Sequence, residues 1–534
     1  MSLSFYNSLS KQKEVFTPIN QEKITMYVCG PTVYDHIHIG NARSAVVYDL
    51  LYRLLRYIYP NVLYVRNITD VDDKIIMRAQ ELNISIQELT STTTEAFLVN
   101  MEYLNCLEPT VQPKATEHIS DMIHIIQRLL QNGHAYCAGN DVYFSVSSFK
   151  DYTSLSGRSL TQMLTNTRCE QEQNKKHQAD FVLWKGCAKP GAQRAQAGVM
   201  HEPYHAQNDQ YTEPPKDLRV EEAAQFLSEL EPRHYSTEES ASFESPWGLG
   251  RPGWHIECSA MSYKYLGHSF DIHGGGVDLI FPHHTNEIAQ SKCAFKDASF
   301  ARYWIHNGFV MVNGEKMSKS LNNFITVKDL RDQGACGNVL RLALLATHYH
   351  KPMNFNKKLL EDAKKTLDYC YKALSITDVR DGNDTCIPNP QNYLLPPEVM
   401  QSLSDDLNTP QTITHMYSYA KKMRSAKNGQ EQEKYAQYLL STMQILGLTI
   451  YSPLSDANAH ANAKRQPHLA LVGKGASDER CKWMCKVYAM VIARKFAKLR
   501  KNWAEADDIR QQLLVEGVIL TDDVNGKTHI SFNF

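Results

Sequence analysis

His36, His38 and Gly40 alternate along a short stretch (residues 29–44) that follows an apolar run at 24–28 and a break at Gly30-Pro31. At a helix N-terminus the free N–H groups and the dipole attract phosphate. Two imidazoles would add donors, and a glycine lets a flat ring approach the backbone. Short His/Gly clusters also mark plain turns in a chain with 21 histidines, so both readings stand on these residues alone. Further along, His283 and Glu287 are four apart in a helical context and project from one face, a spacing that suits metal ligation. His284 with Glu287, three apart, is the local competitor, and a surface contact is the plainer alternative. Lys316 and Lys319 flank Met317-Ser318 after an Asn313-Gly314 turn: two cations on a loop, suited to a polyphosphate tail or simply an exposed basic turn. Thr69 and Asp70 follow an apolar run at 62–65, where open α/β sheets place their ligands, although a helix cap explains them equally well.

These side chains need a scaffold, and the hydrophobic pattern supplies one. Residues 24–28 and 62–65 read as buried strands, and between them Val46, Val47, Leu50, Leu51, Leu54, Leu55 and Ile58 form a helical stripe. Strand, turn, helix, strand is the opening of a doubly wound α/β nucleotide fold with a right-handed crossover. Residues 78–135 read as helices, and strands at 141–146 and 181–184 belong to a small insertion. From 189 to 244 Gln, Glu, Ala, Pro, His and Ser dominate, the composition of a polar surface insertion expected to be partly disordered. A strand at 270–273 then runs into Gly274-Gly275-Gly276, and further strands are expected at 303–306 and 309–312. Beyond about 327 the pattern is helical, with amphipathic stretches near 340–348, 359–376 and 434–446, followed by a linker-like composition at 452–476. Arg494, Lys495, Lys498, Arg500 and Lys501 then cluster before Trp503. Cations beside an aromatic suit a single-stranded nucleic-acid loop, with a solvated helix face as the alternative.

With 534 residues, two to four domains are expected. Apolar residues at 43% and charged residues at 22% are ordinary for a globular protein, and no apolar run approaches the length that crosses a bilayer. No signal-peptide core opens the chain, so a cytoplasmic location without membrane association is expected. The net charge of -1 is silent on nucleic acid, which responds to local basic surface. Twelve cysteines without a CxxC pair suit a reducing compartment, and Cys481 with Cys485 reads as two buried thiols.

His38-Ile-Gly-Asn41 followed by Lys316-Met-Ser-Lys-Ser320, in that order across a nucleotide fold, resembles the two signature sequences of class I aminoacyl-tRNA synthetases. Residues 29–35, 251–258 and 273–284 resemble the cysteinyl family within that class. The resemblance implies a Rossmann-like catalytic domain over residues 1–330, with a connective insertion at about 110–185 and the polar insertion at about 189–244. A helical tRNA-binding bundle at 331–451, a linker at 452–476 and a small anticodon-binding region at 477–534 would follow. It implies a zinc ion on Cys29, Cys258, His283 and Glu287, Mg2+ with ATP, and a pocket for L-cysteine walled by Thr32, Thr69, Trp254 and His273. A soft metal favours thiolate over an undissociated hydroxyl, so cysteine would be separated from serine without editing. His36, His38, Gly40, Asn41, Lys316, Ser318 and Lys319 would hold ATP, with His38, Lys316 and Lys319 acting on its phosphates. Arg494, Lys498, Lys501 and Trp503 would meet tRNA(Cys), and a monomer is expected. The first signature usually ends in a second histidine, where this chain has Asn41, and Thr285 stands where many relatives have glutamate. Rivals are a cysteine ligase of the mycothiol pathway, which lacks a counterpart of residues 477–534, a nucleotidylyltransferase, which would not need the metal set, and a non-catalytic tRNA-binding paralogue.

Overall fold

The computed structural model describes residues 2–164, 174–187, 242–296, 298–317, 323–374, 394–448, 494, 503–515, 518–522 and 528–532. Ser318, Lys319, Cys481, Cys485, Lys498, Lys501, most of the polar insertion and the whole expected linker lie outside the described residues.

Four parallel strands make the central sheet: β1 (Ile24–Val28), β2 (Val62–Arg66), β3 (Ser269–Gly276) and β4 (Phe300–Asn307), in the order β4-β3-β1-β2. The first crossover is α1 (Ile39–Ile58), and the return to β3 is made by α2 (Trp254–Leu266). The chain leaves β1 towards β2 but leaves β3 towards β4. The strand order therefore reverses between β1 and β3, the point outside whose C-terminal ends open α/β sheets bind ligands.

Alternation along β1 and β2 divides the core. Ile24, Met26, Val28, Val62 and Tyr64 face α1, whereas Tyr27, Leu63 and Val65 face the opposite layer. That opposite layer contains α2, α3 (Thr285–Ala294), the helix Ile119–Gln131 and a four-stranded antiparallel sheet. The antiparallel sheet is built from Ala135–Ala138, Asp141–Phe144, Phe181–Gly186 and Gly250–Pro252, so the inserted strands read from sequence form one layer with a strand beyond the polar insertion. On the α1 side, the core continues without a break into the helices Gly337–Leu345, Lys357–Leu374, Pro397–Ser404, Thr409–Arg424 and Gly429–Ile445.

One expectation changes in detail. The glycine run at 274–276 does not end its strand but lies within it. A Cβ on Gly274 would fall 2.4 Å from the Tyr48 ring, and one on Gly275 would fall 2.7 Å from the His284 ring. Glycine here admits neighbouring side chains close to the strand, rather than breaking it. Near the C-terminus the helix Trp503–Val515 precedes an antiparallel pair, Val518–Asp522 with Thr528–Phe532.

Candidate active site

Cys29 is the first residue past β1, and its N–H donates to Gly274 O at 3.2 Å, so it sits at the point where the strand order reverses. Cys258 comes from the start of the second turn of α2, while His283 and Glu287 straddle the start of α3. The ligand atoms of these four residues all lie within 4.8 Å of one another. Cys29 Sγ is 3.7 Å from Cys258 Sγ and 3.4 Å from Glu287 Oε1, and His283 Nε2 is 2.9 Å from Glu287 Oε1. A tetrahedral zinc ion with bonds of about 2.0–2.3 Å holds its ligands about 3.3–3.8 Å apart, and Cys29 stands at that spacing from both Cys258 and Glu287. Two thiols, an imidazole and a carboxylate, nearly all removed from solvent, form a donor set that fits zinc.

The electrostatics favour a cation. Burial pushes the Cys29 thiol well up, reinforced by Cys258 and Glu287. Burial also opposes ionisation of Glu287, yet His273 and His283 outweigh it and hold the carboxyl well below its ordinary range. Burial would lower His283, but Glu287 and Cys258 push it up to about 10, so the surrounding groups favour positive charge at this point.

Geometry brings both His283 and His284 to the cluster. His284 lies 4.0 Å from Glu287 Oε1 and 3.4 Å from Cys29 Sγ, and its Nδ1 is bonded to His306 Nε2 at 2.7 Å. It belongs to a second, overlapping group with Cys29, His273 and Glu287. Burial lowers His284 well below the usual imidazole range and pushes His306 down to about 3, so both rings are neutral.

Of the four expected pocket residues, Trp254 and His273 touch this cluster directly. Thr32 and Thr69 form a parallel backbone bridge, with Val33 N–H donating to Thr69 O and Thr69 N–H to Pro31 O. Trp254 stacks on His283 with ring centroids 4.2 Å apart. His273 is fully buried, and its Nε2 bonds Glu287 Oε2 at 2.7 Å, so it orients the Glu287 carboxylate. Asn67 and Glu257 were not legible from the sequence. Asn67 accepts from Gly30 N–H and donates to Thr69 Oγ1, which in turn donates to Glu257. Gly30 lies so close to the Asn67 carbonyl that no side chain fits there.

Nine positions beyond Cys29, His38 is the N-cap of α1. Its Nδ1 accepts from Gly40 N–H at 3.0 Å and Asn41 N–H at 3.2 Å, which leaves the proton on Nε2. Asn41 Oδ1 accepts from His38 N–H at 3.3 Å, completing a capping box. The unexpected Asn41 thus secures the turn that presents His38. A Cβ on Gly40 would meet the His38 ring at 2.8 Å, so this glycine makes room for the imidazole itself. His36 lies in the preceding turn, and its Nδ1 is buried with no partner among the described residues. Lys316 ends a hairpin with Val310–Val312 and is exposed. Past the loop, Ile39 N–H donates to Ile325 O and Val327 N–H to Ile37 O, which ties the far end of the Lys316 loop to the His38 turn. Of the expected tRNA contacts, Trp503 is 59% exposed and Arg494 is buried.

Residues 15–197 and 232–365 match the family described as tRNA synthetases class I (C) catalytic domain, and residues 398–450 match the DALR domain. The chain is 48% identical over 525 residues to a cysteine–tRNA ligase of Rickettsia felis, covering 98% of this chain and 97% of that one. It is 47% identical over 530 residues to a cysteine–tRNA ligase of Rickettsia bellii, covering 99% of each. With the Cys/His/Glu cluster and the His38 cap at the C-terminal edge of one doubly wound sheet, the lysine hairpin beside it, and similarity of this extent along almost its whole length, the chain belongs to the cysteine–tRNA ligases of the class I synthetases.

Proposed function

We propose that this chain joins L-cysteine to the 3' end of tRNA(Cys) by way of a cysteinyl-adenylate. The observation that carries the reading is the convergence of Cys29, Cys258, His283 and Glu287 at the reversal point of the sheet, in the same turn that leads to His38. In the first step a carboxylate oxygen of cysteine attacks the α-phosphorus of ATP, and the bond to pyrophosphate breaks. In the second a terminal ribose hydroxyl of the tRNA attacks the acyl carbon, and AMP leaves. The substrate is its own nucleophile, so the protein contributes position and charge.

His38, with Nδ1 committed to the helix cap, offers Nε2–H to the phosphates. Lys316, Ser318 and Lys319 hold the β- and γ-phosphates and neutralise the departing pyrophosphate, with Mg2+ accompanying ATP. Gly40, Asn41 and His36 shape the nucleotide end of the turn. Thr32, Thr69 and Trp254 wall the amino-acid pocket, and His273 fixes Glu287. Cys29, Cys258, His283 and Glu287 would hold zinc, a soft Lewis acid that selects a thiolate over an undissociated hydroxyl. Arg494, Lys498, Lys501 and Trp503 would meet the tRNA; Trp503 is exposed as that requires, whereas Arg494 is buried. Residues 1–330 would carry the chemistry, those from 331 on the tRNA, and the chain would act as a cytoplasmic monomer. Among the described residues no helix is long and apolar enough to cross a membrane. An aminosugar acceptor is disfavoured because relatives named for tRNA match this chain over 98% of its length, C-terminal region included.

Cysteine-dependent exchange of pyrophosphate into ATP tests the reading, repeated with serine and with Cys258→Ala. Exchange with cysteine alone, lost in the variant, is expected. No exchange with either amino acid refutes the activity, and undiminished exchange in the variant refutes the metal assignment.

A further inference from the structure

Arg43 is fully buried on α1, five residues past His38, and makes no ion pair with a carboxylate among the described residues. Its guanidinium instead donates to four backbone carbonyls. Nη1 reaches Gly308 O at 2.7 Å and Phe309 O at 3.2 Å, and Nη2 reaches His348 O at 3.1 Å and Lys351 O at 2.8 Å. A buried cation is costly to hold on carbonyl dipoles alone. Burial accordingly lowers its pKa to about 10, which still leaves it charged at neutral pH.

The four carbonyls belong to one junction. Gly308 and Phe309 join β4 to Val310–Val312, the strand that pairs with Glu315–Lys316 on one side and with Met353–Phe355 on the other. Gly308 N–H donates to Tyr349 O, and Met353 N–H to Phe309 O. The two segments touch so closely that a Cβ on Gly308 would stand 2.5 Å from Lys351 O. Beyond the lysine loop, the chain returns to the same helix through Ile39 N–H to Ile325 O and Val327 N–H to Ile37 O. Helix α1 therefore fixes both feet of the loop that begins at Lys316: the far foot by backbone bonds at the His38 turn, the near foot by Arg43.

We propose that Arg43 is a positioning residue that sets the foot of the Lys316 hairpin against α1, so that His38 and Lys316 close on the same ATP phosphates. The proposal rests on the adenylate-forming reading above and adds to it a residue that touches no substrate. Arginine is suited to this role because its planar fork meets several acceptors at fixed angles, whereas lysine offers one compact charge.

The test uses the full-length, metal-loaded chain in cysteine-dependent pyrophosphate exchange. Arg43→Lys keeps the charge but loses the fork, while Gly308→Ala pushes the same junction apart and leaves Arg43 in place. Both are expected to raise KM for ATP or lower kcat on the order of tenfold to a hundredfold, with KM for cysteine and metal content unchanged. In a double-mutant cycle, Arg43→Lys combined with Lys316→Ala is expected to lose less than the product of the single losses, because both act through one hairpin. Multiplicative losses, or equal changes in the KM of ATP and of cysteine, would overturn the proposal by marking Arg43 as a general structural residue. Absence of exchange in the unmutated chain would instead refute the underlying activity.

Discussion

Asn41 shows how a single side chain changes the meaning of a motif. A histidine there would offer a ring to ATP, whereas asparagine returns its carbonyl oxygen to His38 N–H and stabilises the helix start. Replacing it with alanine is expected to cost about 1 kcal/mol of stability, the usual worth of a cap, and to raise KM for ATP because His38 loses its support. Chemical unfolding and exchange kinetics check both effects, and an unchanged midpoint with unchanged KM contradicts the capping role. Gly40→Ala acts on the same imidazole by crowding it. The added methyl is expected to displace His38 and to lower exchange by at least about tenfold while the far-UV spectrum stays the same. At the proposed zinc site, direct metal analysis is expected to find less zinc in Cys258→Ser than in the unmutated chain, because a hydroxyl does not ionise as a thiol does. Retention of zinc in that variant would remove Cys258 from the ligand set.

Helix α1 is the element on which the site depends, and little of its surface meets water. From Ala42 to Leu55 only Ser44 escapes burial, so each charged residue in this span needs an internal partner. Asp49 has Arg53 on its own helix at 2.7 Å and Arg341 from the helix Gly337–Leu345. Arg341 also bonds Leu104 O, Asn105 O and Leu446 O, and the absent side chain of Gly447 leaves space for its guanidinium. Arg341→Leu is expected to cost about 2–4 kcal/mol, since it strands a buried carboxylate and several carbonyls. A loss below about 1 kcal/mol by urea denaturation would contradict this. The pH dependence has a definite sign. Burial raises the Asp49 pKa, but Arg53 and Arg341 outweigh it and the carboxyl lies below its ordinary value. Its contribution is therefore complete above the ordinary carboxylate range and is lost as pH falls through the depressed folded value. Urea midpoints measured downwards from neutral pH are expected to fall less steeply in Asp49→Asn than in the unmutated chain.

At the scale of the whole molecule, the central sheet separates two cores, one shared with the antiparallel insertion and one shared with the C-terminal helices. The change of architecture expected near residue 330 is not a gap in the core, because Val46, Leu50 and Leu54 of α1 share one cluster with Leu340, Leu344, Leu439 and Met443. A chain cut after residue 330 is expected to be insoluble or to lack near-UV dichroism, since α1 would expose its outer face. A cooperative melt of that fragment would refute this account.

How much could be read in advance depends on the range of the interaction. Strands β1 and β2, the stripe of α1 and the His283/Glu287 pair follow from periodicities of two and of three to four, which local backbone geometry imposes. The Asn41 cap is equally local, since its Oδ1 reaches back only three residues to His38 N–H. Arg43 carried a weaker signal: a charge within a helix apolar on nearly every side has to be buried. By itself the sequence determined most of the element types, the strand–turn–helix at residues 24–58 and, through its motifs, the family. Only the tertiary structure decided which atoms meet. Cys29 and Cys258, 229 positions apart, come together because strand order reverses between β1 and β3, and that reversal is set by packing on both sheet faces. His283 and His284 differ by one residue, about 100° of helical phase, and only the fold shows that both rings reach the cluster while His284 is also bonded to His306 on β4. Contacts across such distances depend on how buried surfaces fit, which no local spacing encodes.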